Sequence, residues 1–328
     1  MQYRKFGKTD LIVSEIGFGA WAIGGDAMVG NTAIGWGPAD DAVSQEAIYA
    51  ALDAGINFFD TADIYGLGHS EELLGKTIQN KGIIIATKVG NVARNNEFTF
   101  DYSREYIINA CEQSLKRLRR DVIDYYQLHT ARMHHLQQGN CIEAMQTLQQ
   151  QGKIRYWGIS LNTFAPQPEA EYFIQHHWGS GFQIVLNIIN QRGLGVIKQA
   201  AENGYGVIVR MPLQFGLLTG KFNTATKFET TDHRHNRLTP EIIAASTNAL
   251  EPVWALCSKY NISKTQLALS YILSYKEVST VIPGIRTKEH VVSNTNGLVQ
   301  LDKADLELIE SSGATTFAAL MDVIEKQG

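Results

Sequence analysis

The sequence predicts an α/β protein in which eight parallel strands and their crossover helices close into a (β/α)8 TIM barrel. Short apolar runs alternate with amphipathic segments through most of the 328 residues. Successive runs lie roughly 25–40 residues apart, which is the length of one strand–helix–strand unit. Eight right-handed units of this kind form a closed barrel. No shift in composition marks a linker, so we expect a single barrel domain over residues 1–328.

The predicted strands are rich in β-branched and aromatic residues, which is typical of parallel strands buried on both faces. Residues 15–18 supply an early strand, and seven further runs supply the others: 56–59, 82–86, 123–128, 154–159, 182–186, 205–209 and 278–282. Two more segments, 1–5 and 11–13, flank a turn at 7–10 and predict a β-hairpin that precedes the barrel.

Amphipathic helices are predicted between the strands, with polar N-caps and glycine or basic residues at their ends. They cover 44–54, a segment that begins at Ser70 with a serine cap, 103–119 and 141–151. The interval 222–277 is too long for one loop and one helix, so we expect an insertion before the last strand. An open doubly wound sheet is the alternative fold. It is disfavoured because no glycine-rich phosphate fingerprint follows the first strand.

Composition argues against several classes of function. The chain has 33 acidic and 29 basic side chains and a net charge of −4, whereas binding to nucleic acid or to an anionic membrane normally needs a concentrated basic face. Cys111, Cys141 and Cys257 lie far apart and form no CxxC pair, so we expect reduced thiols. The first residues lack the apolar core of a signal peptide, and no stretch approaches a membrane span. These features predict a cytoplasmic globular protein.

Ionisable residues end three consecutive predicted strands. Asp60 ends the second strand, with Tyr65 five residues later, Lys88 ends the third and His129 ends the fourth. The carboxyl ends of the strands carry the reactive groups of a (β/α)8 barrel. Each residue alone also has a structural interpretation, because an Asp–Lys pair can be a plain ion pair and a lone histidine a hydrogen-bonded core residue.

Together the four side chains suit proton donation to an oxyanion. A phenol with a pKa of about 10 is a poor proton donor near neutral pH. An ammonium about 4 Å from the Tyr65 hydroxyl would favour the phenolate by roughly 4 kcal/mol, which would bring the phenol toward working pH. A buried lysine keeps its charge only beside a carboxylate, which Asp60 supplies. A neutral imidazole such as His129 could donate a hydrogen bond to a carbonyl oxygen, so the set fits hydride transfer to a carbonyl carbon.

The same segments resemble the signature of the aldo-keto reductase superfamily. The resemblance rests on residues 55–66, 85–88 and 124–129, which stand in the family's order, and it extends from Arg4 to about Leu298. It implies a (β/α)8 barrel, a nicotinamide cofactor bound without a Rossmann domain, and an Asp-Tyr-Lys-His catalytic tetrad.

By this match the catalytic residues are Asp60, Tyr65, Lys88 and His129. Tyr65 is the general acid, Lys88 and Asp60 tune it, and His129 positions the carbonyl. The resemblance also places Trp21 in the substrate pocket beside Tyr65 and His129. Trp36 is a further pocket candidate, because the glycine-rich stretch 24–41 is expected to fold over the barrel mouth. A surface loop without ligand contact is the alternative for Trp36.

The resemblance further implies a set of cofactor-binding residues: Ala20, Trp21, Asp60, Ser160, Asn162, Gln183, Arg210, Met211, Pro212, Leu213, Gly216, Leu218, Gly220, Lys221, Gly284, Arg286, His290 and Asn294. Two features depart from the family pattern. Leu161 separates Ser160 from Asn162, so Ser160 carries over better. Arg210 stands where many members stack an aromatic residue on the nicotinamide, although a guanidinium plane can also stack on a ring.

Residues 216–221 could be mistaken for a nucleoside-triphosphate loop. Only three residues separate the glycines and Phe222 replaces the required Ser or Thr, so that interpretation fails. Arg286 could make charge-assisted hydrogen bonds to an adenosine 2′-phosphate, and a helix that begins near Lys288 would present a favourable N-terminus. NADP(H) is therefore favoured over NAD(H). The alternative for Arg286 is a solvated surface charge.

The paired histidines at 134–135 and 176–177 lie neither at strand ends nor at the i,i+4 spacing of metal ligands. We expect solvated histidines there and no metal site.

The predicted function is an NADP(H)-dependent oxidoreductase that reduces an aldehyde or ketone, with a small carbonyl compound or sugar as substrate, and that runs reversibly as an alcohol dehydrogenase. One alternative is a redox-sensing, nucleotide-binding regulatory subunit similar to potassium-channel β-subunits. The tetrad fits both, and the absence of an extended segment before the barrel disfavours the regulatory subunit. Another is a metal-dependent barrel lyase or hydrolase with Asp60 and His129 as ligands. Substrate identity, physiological direction and oligomeric state stay open.

Overall fold

The computed structural model describes residues 1–327. The strands are β1 Tyr3–Lys5, β2 Ile12–Ser14, β3 Phe18–Gly19, β4 Met28–Val29, β5 Thr32–Ala33, β6 Phe58–Asp60, β7 Ile84–Val89, β8 Asn91–Arg94, β9 Glu97–Phe100, β10 Ile123–His129, β11 Ile154–Ser160, β12 Gly181–Val185, β13 Gly206–Arg210 and β14 Thr280–Val281. The helices are α1 Asp41–Asp53, α2 His69–Thr77, α3 Arg104–Leu118, α4 Met133–Gln138, α5 Asn140–Gln150, α6 Gln167–Gln175, α7 Leu194–Glu202, α8 Pro240–Tyr260, α9 Lys264–Leu273, α10 Lys288–Thr295, α11 Lys303–Ala314 and α12 Thr316–Gln327.

Eight of these strands form one parallel sheet in the order β3, β6, β7, β10, β11, β12, β13 and β14. The two ends of the sheet meet, because parallel bridges join Ile16 to Val281 and Gly19 to Gly284. The helices that connect successive strands pack outside the sheet and bury its outer face. The predicted (β/α)8 barrel is confirmed.

The predicted N-terminal hairpin is formed by β1 and β2, which pair antiparallel. It closes one end of the barrel: Phe6 and Leu11 belong to a buried cluster with Phe58 and Tyr125 from inside the barrel. The rings of Phe6 and Tyr125 meet edge to face, with centroids 5.0 Å apart. Apolar side chains therefore fill this end, and the polar strand ends gather at the other.

Two glycines make room for this packing. A Cβ on Gly206 would lie 2.5 Å from the Cγ of Phe6, and a Cβ on Gly181 would lie 2.6 Å from its Cζ. These distances are well inside van der Waals contact. Neighbouring strands β12 and β13 therefore have a glycine where the ring enters the barrel.

Two predicted helix starts are wrong. The helix expected over 44–54 begins earlier, because the Asp40 carboxylate accepts a hydrogen bond from the Val43 amide (3.0 Å) and caps it. Ser70 does not cap α2, which begins one residue before it. Its hydroxyl is buried and donates to the carbonyl of Ala20 (2.8 Å). A tertiary hydrogen bond thus takes the place of the predicted cap.

The expected insertion before the last strand is confirmed and consists of an irregular segment followed by α8 and α9. The C-terminal helix α12 packs against α8 and α11. The hairpins β4–β5 and β8–β9 were not predicted, because their strands are short and lie in polar, glycine- or asparagine-containing segments. Within residues 1–327 no helix combines the length and the apolar character needed to cross a bilayer.

Candidate active site

Lys88 occupies the centre of the polar barrel end. It extends from β7 with its side chain fully buried, and its ammonium donates to the Oδ1 of Asp60 at 2.5 Å and to the carbonyl of Thr61 at 2.8 Å. The third contact of the ammonium is the Tyr65 hydroxyl, at 3.3 Å. Three of the four residues expected to act together are therefore joined by one buried nitrogen.

The second carboxylate oxygen of Asp60 is held by two amides. Gln183 Nε2 donates to it at 2.8 Å and Gln127 Nε2 at 3.1 Å. Such a buried ion pair is tolerable because its remaining hydrogen-bonding capacity is satisfied. Sequence reasoning gave Gln127 no role. The available signal was its position two residues before His129 on one strand, since alternate strand residues share a face.

Burial and charge act against each other on these groups. Burial disfavours the Lys88 ammonium, but the Asp60 carboxylate and Tyr65 outweigh it and raise the pKa of Lys88. Burial also raises the pKa of Tyr65, and the opposing effect of Lys88 is smaller. The lysine therefore acts on the phenol in the predicted direction. The predicted net lowering of the Tyr65 pKa is wrong, because desolvation destabilises the phenolate more than the Lys88 ammonium stabilises it.

His129 ends β10 with its ring 5.9 Å from the Tyr65 ring at an interplanar angle of 84°. Burial lowers the pKa of His129 well below its usual value, and the charges of Lys88 and Arg210 lower it further. The imidazole is therefore neutral at physiological pH. Its buried Nδ1 has no hydrogen-bond partner within residues 1–327.

Two segments distant in sequence meet over this end of the barrel; we call residues 24–41 and 222–239 the cover segments. Trp36 pairs with Asp232 in an antiparallel bridge. The imidazole of His233 stacks on the indole of Trp21 at 4.6 Å, and that indole stacks on the Tyr65 ring at 5.6 Å. Trp21 thus lies beside Tyr65, and the Trp36 ring meets the Trp21 ring edge to face at 5.5 Å. His233 was missed, since nothing in its local sequence marks it as buried.

A strained turn follows β13. Met211, Gln214 and Phe215 all have positive φ angles, between 45° and 56°. Such strain persists only where the surroundings enforce it. Asn187 supplies part of this support, because its side-chain amide donates to the Met211 carbonyl at 3.0 Å and to the Gln214 side chain at 2.9 Å. Asn187 had no predicted role, and only the fold brings it to this turn.

The predicted carboxamide-binding residues lie at the ends of β11 and β12. Ser160 and Gln183 are buried, and Gln183 already donates to Asp60. The Asn162 side chain accepts hydrogen bonds from the amides of Phe164 (2.8 Å) and Ala165 (3.3 Å). It therefore stabilises the turn that follows β11.

Arg286 lies at the rim of the barrel, beside a cavity of about 420 Å³ that His290 also lines. Its guanidinium donates to the carbonyls of Trp36 and Pro38, which belong to a cover segment. Burial lowers the pKa of His290, with further contributions from the charges of Lys221 and Arg286. The charges of Lys221 and Arg286 therefore both act on His290, in the first turn of α10.

The other predicted cofactor residues follow the barrel rim from the first strand to α10. Three buried side-chain nitrogens of predicted site residues have no hydrogen-bond partner within the described chain: the Nδ2 of Asn294, the Nε of Arg210 and the Nδ1 of His129. Unpaired donors and acceptors along one rim fit a polar ligand such as a dinucleotide. The remaining residues of this set are Ala20, Pro212, Leu213, Gly216, Leu218, Gly220 and Gly284.

Residues 1–327 contain no group of three or more His, Cys, Asp or Glu side chains arranged to hold a metal ion. His134 and His135 contact each other's rings at 3.8 Å.

The sequence profile of the Aldo/keto reductase family matches residues 15–314. The chain belongs to this family. Among aldo-keto reductases and their relatives, the uncharacterized oxidoreductase YqkF of Bacillus subtilis is 32% identical over 90% of both chains. L-galactose dehydrogenase of Arabidopsis thaliana is 30% identical over 94% of this chain and 91% of that protein. A probable voltage-gated potassium channel subunit beta of Oryza sativa is 27% identical over 91% of both.

Solved structures of the family have the same fold. The holo form of an aldo-keto reductase of Bacillus halodurans superimposes with a TM-score of 0.77 at 27% identity, over 95% of this chain and 96% of that one. A glycerol dehydrogenase of Gluconobacter oxydans superimposes with a TM-score of 0.78 at 27% identity, over 95% of both chains. The chain is therefore an oxidoreductase of the aldo-keto reductase family with a (β/α)8 fold.

Proposed function

We propose that this protein reduces an aldehyde or ketone to an alcohol with NADPH as the hydride donor, and that it catalyses the reverse oxidation. The observation that carries the proposal is the single ammonium of Lys88, which contacts both the Asp60 carboxylate and the Tyr65 hydroxyl. This contact orients the phenol and supplies the charge that stabilises it when it loses its proton.

Each side chain has a defined part in the proton transfer. Tyr65 donates the proton to the substrate oxygen, and Lys88 stabilises the phenolate that results. The neutral imidazole of His129 donates a hydrogen bond to the carbonyl oxygen and so orients it beside the phenol. A reduced nicotinamide bound along the rim would supply the hydride. Because the alkoxide formed is a far stronger base than phenolate, Tyr65 can act as the acid despite its raised pKa.

The preference for NADP(H) rests on the rim beside α10. Arg286 lines the cavity there and offers a cation to a 2′-phosphate, the charge of Lys221 acts on the neighbouring His290, and the N-terminus of α10 favours an anion. Asp40 also lines this cavity, but its carboxylate caps α1. A relative in Schizosaccharomyces pombe, 29% identical over 92% of this chain, is named for NADP(+). The kcat/KM for NADPH should therefore exceed that for NADH with the same aldehyde.

The proposal extends to the domain organisation of the protein, its cellular compartment and its class of substrate. We propose that residues 1–328 act as one barrel domain and that the protein works in the cytoplasm on a small carbonyl compound or sugar. The unpaired thiols Cys111, Cys141 and Cys257 fit a reducing compartment.

The test is the variant Tyr65→Phe. General acid catalysis contributes about 10²–10⁴-fold, so the oxidation of NADPH by a panel of aldehydes should fall by at least the lower figure. NADPH should still bind, which its fluorescence measures. The matched control Tyr49→Phe removes a hydroxyl from an exposed position on α1 and should leave the rate unchanged. Carbonyl reduction at the wild-type rate by Tyr65→Phe would remove Tyr65 from the acid role.

The likeness to proteins named as potassium channel β-subunits favours one second candidate, a nucleotide-binding regulatory subunit. Steady-state kinetics separate the two. An enzyme turns over many equivalents of NADPH with its preferred aldehyde, whereas a redox sensor oxidises about one equivalent per protein and then stops.

A further inference from the structure

His129, which orients the carbonyl in the proposed reaction, is not held by a hydrogen bond at its Nδ1. This nitrogen is buried without a partner in residues 1–327. In a functional histidine, the hydrogen bond made by one ring nitrogen normally sets the role of the other. The direction of the His129 imidazole therefore depends on the backbone that carries it and on the rings packed around it.

The backbone makes a strained turn directly after His129. His129 is the last residue of β10 and pairs with Ser160 in the neighbouring strand. The next residue, Thr130, has a φ of 67°, which is a strained value for a β-branched side chain. Its amide donates to the carbonyls of Leu128 at 3.1 Å and Ser160 at 3.0 Å. Such a turn persists only with support from the groups around it.

Tyr102 supplies part of this support from a segment outside the barrel strands. Its hydroxyl donates to the His129 carbonyl at 2.5 Å, and the Thr130 hydroxyl donates to the same oxygen at 2.5 Å. Both distances are at the short end of the normal range for hydroxyl donors. Tyr102 is buried, and burial raises the pKa of its phenol, so the hydroxyl keeps the proton that it donates. Tyr102 is therefore hydrogen-bonded to the backbone of a catalytic residue.

The backbone on each side of Tyr102 is fixed as well. The amide of Asp101 donates to the carbonyl of Gly90 at 2.9 Å. The Oδ1 of Asp101 accepts hydrogen bonds from the amide (3.1 Å) and the hydroxyl (2.6 Å) of Ser103, which is the N-cap of α3. Tyr102 thus has a rigid base from which its side chain reaches the end of β10.

Gly90 makes room for the Tyr102 ring. It lies two residues after Lys88 and has a φ of 119°, and a Cβ on it would lie 2.1 Å from the Cε1 of Tyr102. The imidazole of His135, in α4, contacts the same ring with centroids 4.4 Å apart. The ring therefore packs against the segment that follows β7 and the helix that follows β10.

We propose that Tyr102 is a positioning residue for His129: its hydroxyl fixes the end of β10 so that the imidazole faces the carbonyl oxygen beside Tyr65. This inference rests on the proposed function. Tyr102 acts through the backbone of His129 and not by contact with the substrate. Loss of one buried hydrogen-bond partner typically changes an equilibrium by about five- to tenfold, so we expect an effect of this order on catalysis.

A double-mutant cycle with Tyr102→Phe and His129→Gln tests the inference. Tyr102→Phe keeps the ring and removes the hydroxyl. It should lower kcat for the fastest aldehyde of the panel by about five- to tenfold, while the Kd of NADPH, measured by fluorescence, stays unchanged. In the His129→Gln background the same change should alter kcat by less than about twofold, because no imidazole is left to orient. A purely structural role would give equal factors in the two backgrounds and would overturn the inference.

Tyr3→Phe is the matched control for the loss of the hydroxyl. The Tyr3 hydroxyl also donates to a backbone carbonyl, that of Gly55, at 2.9 Å. Tyr3 belongs to the hairpin that closes the apolar end of the barrel, so Tyr3→Phe should keep the wild-type kcat. A loss of kcat in Tyr3→Phe as large as that in Tyr102→Phe would contradict a specific role for Tyr102.

NMR of the histidine rings separates this inference from the proposed function. In protein labelled with ¹⁵N at its nine histidines, the signals that disappear in His129→Gln belong to the His129 ring nitrogens. Tyr102→Phe should shift these signals in long-range ¹H–¹⁵N spectra, and Tyr3→Phe should not. The shift is expected even if the protein reduces no carbonyl compound. Unchanged His129 signals in Tyr102→Phe would contradict the inference, whatever the enzymatic activity.

Discussion

The buried ion pair of Lys88 and Asp60 illustrates how far one residue in this site depends on another. Both side chains are buried, and their hydrogen bonds go to each other, to the Tyr65 hydroxyl, and to the amides and carbonyl around them. Removal of one charge leaves the other unpaired in a low dielectric, which typically costs about 3–5 kcal/mol. Effects on stability and on activity must therefore be separated by a double substitution.

Lys88→Met should lower kcat by at least about 10²-fold, because Tyr65 loses the charge that opposes its burial. It should also destabilise the fold by about 3–5 kcal/mol, measured by urea denaturation. Asp60→Asn combined with Lys88→Met removes both charges and should recover part of the stability while activity stays lost. Activity restored in the double variant would contradict the role assigned to Lys88.

The pH dependence of the reaction follows from two residues. Reduction needs Tyr65 protonated and His129 neutral; burial raises the pKa of Tyr65 above 10 and lowers that of His129 well below 6.5. The kcat for reduction should thus be level from about pH 6 to 9 and fall only at higher pH. Alcohol oxidation needs the phenolate and should rise with pH. A decrease in the kcat for reduction as the pH is lowered through about 6.5 would show that His129 is not held neutral by burial.

At the scale of secondary-structure elements, the hairpin β1–β2 and the barrel depend on each other. The hairpin brings Phe6 into the barrel, and Gly181 and Gly206 leave space for its ring. The apolar end thus formed excludes water from beneath the buried ion pair.

Phe6→Ala should therefore destabilise the protein by about 3–5 kcal/mol, the usual range for loss of a buried phenylalanine. Ile12→Ala is the matched control on the same hairpin, because Ile12 is half exposed, and it should cost much less. Gly206→Ala should also lower the melting temperature, since its Cβ would overlap the Phe6 ring. Equal melting temperatures for Phe6→Ala and Ile12→Ala would show that the hairpin does not support the barrel.

At the scale of the whole molecule, the cover segments bring the insertion before the last strand into contact with Trp21, which follows β3. His233 is 4% exposed and packs among Trp21, Trp36 and Phe215. Burial, with a further contribution from Arg237, lowers the pKa of His233 to about 3 from its ordinary 6.5. The unfolded chain therefore binds a proton below pH 6.5 that the folded chain does not, and stability falls as the pH is lowered through this range.

We expect His233 to contribute about 1.4 kcal/mol per pH unit to this loss between pH 6 and 4. His233→Asn should reduce the slope of the unfolding free energy against pH by about that amount, measured by urea denaturation at several pH values. The exposed His134→Gln is the control and should keep the wild-type slope. A slope unaffected by His233→Asn would mean that the cover segments open before the histidine titrates.

Much of the barrel could be predicted from the sequence. A strand buried on both faces has to be apolar along its length, whereas the end of a strand can carry polar residues. The runs near 123–128 and 205–209 became β10 and β13 for this reason. The hairpin over 91–100 was missed because its exposed residues carry no burial pattern. Ser70 was misassigned since its local sequence resembles a helix cap, while its hydroxyl bonds a distant carbonyl.

By itself, the sequence determined the fold class, the closing hairpin and the order of Asp60, Tyr65, Lys88 and His129 along the chain. These features are local, because the hydrophobic periodicity of a strand or helix and the residue at a strand end depend only on residues close together in sequence. Only the tertiary structure decided that Gln127 and Gln183 share one oxygen of Asp60, that His233 covers Trp21, and that the pKa of Tyr65 is raised. Burial and desolvation depend on side chains that the fold gathers from distant parts of the chain, so no local pattern encodes them.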